Sequence, residues 1–96
     1  MNQITIIQHN VLKWSKVRAN ELTNIYYQYN PDILLLNATG LKQFEQLKIY
    51  QYNVHQKNYL NENHAGIAIA VRKNIKYKLH DDTTDDILAI QLETDR

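Results

Sequence analysis

Asp32-Ile33-Leu34-Leu35-Leu36-Asn37 sets four consecutive apolar residues between polar ends, and this run constrains the fold most. It is too short for a helix that must bury one face, and its unbroken apolarity suits a strand covered on both sides. Ile4-Thr5-Ile6-Ile7-Gln8, short and β-branched, reads the same way. Between the two lies a helix. Ser15 is its N-cap, and Asn30-Pro31 stops it, because proline cannot continue the hydrogen-bond ladder. Ala19, Leu22, Ile25, Tyr26 and Tyr29 recur at helical spacing as the inward face; Lys16, Arg18, Glu21, Asn24 and Gln28 cover the other side. Strand, helix, strand in that order implies a parallel pair joined by a right-handed crossover, hence an α/β fold.

Downstream, Gly40 to Asn63 is rich in Gln, Asn, Lys and Tyr, and is expected to hold a helical turn over Gln43 to Leu47 and a strand over Ile49 to Val54. In Ala65 to Val71, Ile67, Ile69 and Val71 alternate with Gly66, Ala68 and Ala70. The small residues predict that another layer packs closely on their face. Asn74 marks a turn before Ile75 to Leu79, Asp81 to Asp86 is an acidic loop, and Ile87 to Glu93 is the last strand. The complete expectation is one domain over residues 1–96, with strands near 3–9, 32–37, 49–54, 65–72 and 86–93 and a helix near 16–30. Its core is expected to contain Ile6, Leu22, Ile25, Leu34, Leu36, Ile67, Ile69 and Leu88. The chain stops at Asp95-Arg96, directly after a strand and where a hairpin turn is expected. It reads as the first part of something longer, with an edge left open to pair with another chain.

Several function classes fall away on composition. The chain of 96 residues has no cysteine, which excludes a disulfide scaffold, a Cys-based zinc finger and a thiol nucleophile. Lys plus Arg is 11 against 10 for Asp plus Glu; so slight a surplus argues against a dedicated polyanion binder. No basic and apolar leader opens the chain, and the apolar runs are too short to span a bilayer. The expected setting is therefore intracellular, nuclear or cytoplasmic, not secreted and without a membrane partner.

The order and wording of these segments resemble the N-terminal half of the endonuclease/exonuclease/phosphatase superfamily, in particular the apurinic-like endonuclease of non-LTR (LINE-type) retrotransposons. In that family the first strand ends in an aromatic residue plus Asn, a place held here by His9-Asn10. A Pro-Asp-Ile-Leu-Leu-Leu strand follows the helix, matched by Pro31 to Leu36. The family's Gln-Glu-Thr type triplet is matched by Asn37-Ala38-Thr39, and its Gly-Gly-Val-Ala-Ile type strand by His64 to Lys73.

The resemblance implies the first half of that superfamily's β-sandwich and metal-dependent hydrolysis of a DNA phosphodiester, nicking a target so that reverse transcription can begin. It implies Mg²⁺ or Mn²⁺ as cofactor, DNA as partner, and the remainder of a retrotransposon polyprotein. Asn10 matches the Asn of the family's metal and phosphate cluster and is the candidate catalytic and metal-contacting residue. The Glu ligand of the family falls at Ala38, which cannot bind a metal. Its Tyr-Pro-Pro segment, Asp-x-Asn pair and Asp-His pair are not among these 96 residues. The chain is expected not to cut DNA by itself. A different class of reading is a non-catalytic domesticated fragment that binds a partner or nucleic acid; a third is another phosphoesterase branch of the superfamily.

Other polar groups have plainer readings. Without the family match, Asn10 is a turn residue at a strand end. His9 is expected to pack or stack rather than ligate. His9, His55, His64 and His80 fit no short metal-ligand spacing and read as scattered surface residues. Asp81, Asp82, Asp85 and Asp86 lack the glycine and terminal Glu of a calcium loop. Glu45 is the first carboxylate to consider in place of the missing ligand, but a solvated helical carboxylate is far the commoner reading. Tyr26, Tyr27 and Tyr29 could stack on bases, but Tyr26 and Tyr29 fall on the inward helix face.

Overall fold

The structure is a computed structural model that describes residues 3–58, 65–80 and 87–93. In chain order the elements are β1 (Ile6–Asn10), α1 (Lys16–Tyr29), β2 (Ile33–Asn37), β3 (Tyr52–Lys57), β4 (Ile67–Arg72), β5 (Tyr77–His80) and β6 (Ala89–Leu92). β1 pairs parallel with β2, as a strand–helix–strand unit requires, and the sheet continues antiparallel in the order β1-β2-β4-β3. β5 and β6 form a separate antiparallel pair.

α1 begins and ends as its sequence dictates. The Ser15 hydroxyl accepts from the Arg18 amide at 3.2 Å, and Asn30 turns left-handed (φ 49°), donating its N–H to the carbonyls of Tyr26 and Tyr27. Below the helix, Leu22 and Tyr26 pack with Leu34, Leu36, Ala68 and Ala70 of the sheet. The small side chains of β4 thus face the helical layer, where a backbone must come close. On the opposite face Ile33, Ile69 and Val71 are covered by the β5–β6 pair through Tyr77, Leu88, Ile90 and Leu92. The result is a central sheet between a helix-and-loop layer and a two-stranded layer. No helix among the described residues is long and apolar enough to cross a membrane.

Several expectations are corrected. Ile6 is 53% exposed, because the β5–β6 pair covers the far face of β2 and β4 and leaves that face of β1 open. Ile25 and Tyr29 are 41% and 65% exposed; the inward line of α1 is the i, i+4 pair Leu22 and Tyr26. Ile67 and Leu88 are half-buried. Residues 43–47 form no helix. Leu41, Leu47 and Ile49 are buried there at spacings no helix face provides, and amide side chains of the next strand hold the segment. Gln56 Oε1 accepts from the Leu47 amide at 2.8 Å, while its Nε2 donates to the Glu45 carbonyl at 2.8 Å. The strand expected over 49–54 starts later, at Tyr52, since residues 49–52 are a turn with Gln51 at φ 74°. The last strand, expected over 86–93, spans Ala89–Leu92 and joins β5 rather than the main sheet.

Candidate functional site

The parallel register of β1 and β2 puts Asn10 directly opposite Asn37, so the two amide residues end adjacent strands at the same edge of the sheet. Because β4 runs antiparallel to β2, its first residue, Ile67, pairs with Asn37 and brings Gly66 to this end as well. The chain after each strand is stitched to its neighbour. The amides of Val11, Lys13 and Trp14 donate to the carbonyls of Asn37, Ala38 and Thr39 at 2.9, 2.8 and 2.7 Å, and the Thr39 amide donates to the Gly66 carbonyl at 3.2 Å. Arg18 Nη1 adds a bond from α1 to the Val11 carbonyl at 2.8 Å.

This end of the sheet carries unusual backbone. Of seven described residues with positive φ, five lie here: Leu12 (56°), Lys13 (86°), Ala38 (55°), Gly40 (65°) and Gly66 (109°). Three of them bear side chains, which costs energy in this region and persists only where surrounding bonds enforce it. Thr39 is fully buried with its hydroxyl oxygen against Gly66, where an added Cβ would lie 2.5 Å from Thr39 Oγ1. That hydroxyl has no hydrogen-bond partner among the described residues. Sequence reasoning missed this contact, although Gly66 had signalled a close approach.

Comparison with the models of known protein families gives no match. Comparison with curated proteins gives none either.

The chemistry of the site is therefore read from its own donors. Asn10 is exposed, Asn37 half-buried and Ala38 offers only backbone; none of the three carries charge. Glu45 sits in its own turn, its carboxylate accepting from the Lys42 amide at 2.8 Å. Asp32 begins the far end of β2, where it accepts from the Thr5 amide at 2.8 Å and lies 3.7 Å from Arg72 Nε. Among the described residues no group of three or more His, Cys, Asp or Glu could hold a metal ion. A hard divalent cation requires anionic oxygen ligands, so this set of neutral amides and carbonyls does not fit one. Its chemical capacity is to donate and accept hydrogen bonds with a phosphate or a base edge.

The histidines are less scattered than their sequence positions suggest. His9 Nδ1 lies 2.7 Å from the Tyr26 hydroxyl with the rings edge-on, and His55 Nε2 lies 2.6 Å from the Tyr77 hydroxyl in a similar arrangement. The first pair ties β1 to α1; the second ties β3 to β5. Burial pushes the Tyr26 hydroxyl up to about 12, only partly opposed by the Arg18 guanidinium, so the phenol keeps its proton at neutral pH. His80 is exposed, 3.0 Å from Gln91 Oε1. His64 and the acidic residues Asp81, Asp82, Asp85 and Asp86 lie outside the described residues. Of the tyrosines considered for stacking, Tyr26 is core, Tyr29 projects outward, and Tyr27 donates its hydroxyl to the Tyr50 carbonyl at 3.2 Å.

Proposed function

We propose that the chain carries the N-terminal half of a retrotransposon-type DNA-nicking domain of the endonuclease/exonuclease/phosphatase kind, and that these 96 residues do not hydrolyse DNA by themselves. One observation carries the reading. The segments that resemble the family, His9-Asn10, Asn37-Ala38-Thr39 and Gly66 onward, are far apart in the chain yet end three neighbouring strands at one edge. In this reading DNA is the partner and Mg²⁺ or Mn²⁺ serves the complete family site, which the neutral residues here do not reproduce. An intracellular setting, nuclear or cytoplasmic, comes with it.

That the described residues include no group of three or more His, Cys, Asp or Glu able to hold a metal ion equally favours a second reading, a non-catalytic domesticated fragment that binds a partner or nucleic acid. The substitution Ala38→Glu separates the two. If the edge descends from a metal site, the restored carboxylate beside Asn10 should recruit Mn²⁺. Paramagnetic broadening in an amide NMR spectrum should then appear selectively at residues 10, 37–39 and 66 of A38E and not of the parent chain. Broadening absent from that edge in A38E refutes the nuclease reading and leaves the second.

A further inference from the structure

At the other end of the sheet a groove of about 810 Å³ wraps the free edge of β3. Lys48, Tyr50, Gln51, Asn53, His55 and Lys73 are among the residues that line it, and among the described residues no Asp or Glu does. Lys73 follows Arg72 at the end of β4, six residues beyond the Ile67 that pairs with Asn37, so it stands about 20 Å along the sheet from the Asn10 edge. We propose that this groove binds single-stranded nucleic acid, with Lys48 and Lys73 contacting phosphates and Tyr50 stacking on a base. The proposal is independent of the nuclease reading, since it uses none of the residues at the Asn10 edge.

Three observations support it. The first is charge. The overall surplus of one conceals a strong partition: residues 1–80 hold ten Lys or Arg and four Asp or Glu, a net +6, whereas residues 81–96 hold one Arg and six acids, a net −5. The described residues likewise carry ten Lys or Arg against four Asp or Glu, so this part of the chain is cationic, which qualifies the inference drawn from overall balance. Within it, Lys48 and Lys73 are exposed and have no ion-pair partner among the described residues. Asp32, directly before β2, is engaged with Arg72 and the Thr5 amide.

The second observation is an aromatic ring presented on fixed backbone. Tyr50 is 77% exposed, yet its own carbonyl accepts from the Tyr27 hydroxyl at 3.2 Å. The turn that carries it is closed by Tyr52 N–H to Ile49 O at 3.1 Å and by Lys73 N–H to Gln51 O at 2.9 Å. A stacking platform on ordered backbone loses little freedom when a base settles on it. Third, the remaining polar lining of Gln46, Gln51 and Asn53 is neutral and can donate and accept, which suits bases without demanding one sequence. A duplex fits less well, because stacking on Tyr50 needs an unpaired base.

The test is fluorescence anisotropy of the full chain with labelled oligo-dT and oligo-U of twelve nucleotides, across a NaCl series. The expected result is binding of both strands, weakened at least tenfold by K48E/K73E. The salt slope should also flatten by about 1.4 for the two lost phosphate contacts. Y50A should lose about tenfold with its slope unchanged, and Y50F should keep parent affinity. K16Q, at an exposed lysine of α1 outside the groove, should bind as the parent does, which separates this groove from general surface charge. All substituted side chains here are exposed, and thermal melts monitored by circular dichroism verify folding; K48Q/K73Q replaces the charge-reversal variant if that one unfolds. Absence of binding by the parent chain overturns the proposal. So does parent-like affinity in the lysine variant, or a duplex or poly-glutamate competing as well as the single strand.

Discussion

Gly66→Ala is the most informative single perturbation of the sheet edge, because two separable costs can be worked out for it. The new methyl would stand 2.5 Å from Thr39 Oγ1, closer than real Cβ contacts come, while the Lys57 carbonyl at 3.4 Å is an ordinary neighbour. Thr39 cannot swing aside easily, since it is fully buried and its amide is bonded to the Gly66 carbonyl. The backbone at φ 109° adds strain for any residue with a Cβ, about 1–2 kcal/mol, and overpacking adds about 1–3 kcal/mol. Together they predict a loss of about 3 kcal/mol, a large fraction of the stability of a domain this small. In urea denaturation this moves the midpoint down by about 2 M at a typical slope of about 1.5 kcal/mol/M. Thr39→Ala alone should cost only about 1 kcal/mol, because the hydroxyl it removes is buried without a hydrogen-bond partner among the described residues. Combined with Gly66→Ala it should recover about 1–2 kcal/mol through relief of the clash, a coupling that a double-mutant cycle reads directly. Additive effects, or a Gly66→Ala cost under about 0.5 kcal/mol, would refute the close approach on which the edge geometry rests.

Other consequences follow from the same geometry. Ala38→Gly should stabilise by about 0.5–1 kcal/mol in the same urea assay, since φ 55° penalises a Cβ. Tyr26 has its pKa raised in the fold, so stability is fully present below about pH 10 and falls as pH rises through about 12. Tyr26→Phe should flatten that alkaline limb and cost about 1 kcal/mol at neutral pH for the lost bond to His9. Tyr52→Phe removes a buried hydroxyl that donates to the Pro31 carbonyl at 2.6 Å and should cost about 1–2 kcal/mol by thermal melting.

The parts of the fold legible in the sequence are those set by local patterns. The Ser15 cap, the Asn30-Pro31 stop and the apolar run at Ile33 to Leu36 define α1 and β2 almost to the residue, while β1 begins at Ile6, three residues later than expected, and the alternation in Ala65 to Val71 gives β4. What escaped was set by distant partners. Residues 43–51 look like helix and strand locally, but the Gln56 and Asn58 side chains satisfy their backbone in an irregular path. Ile6 and Ile25 have the chemistry of core residues and lack a layer above them. At the candidate site, Asn10 was legible as a strand-end amide, and its juxtaposition with Asn37 follows from the parallel register. The Thr39–Gly66 contact, between residues 27 positions apart, had no signal beyond a glycine among small residues.

The central claim is that these residues hold the edge of a nicking domain without its hydrolytic power. Phosphodiester cleavage starts from a very slow uncatalysed reaction and requires metal, base and orientation together. Asn10 and Asn37 supply at most the last. The direct measurement is relaxation of supercoiled plasmid by the purified chain in Mg²⁺ or Mn²⁺, alongside Asn10→Ala. The account predicts no nicking above the buffer rate for either protein. Metal-dependent nicking by the parent chain that disappears in Asn10→Ala would contradict it, and would point to Glu45 as the first carboxylate to test as the missing ligand.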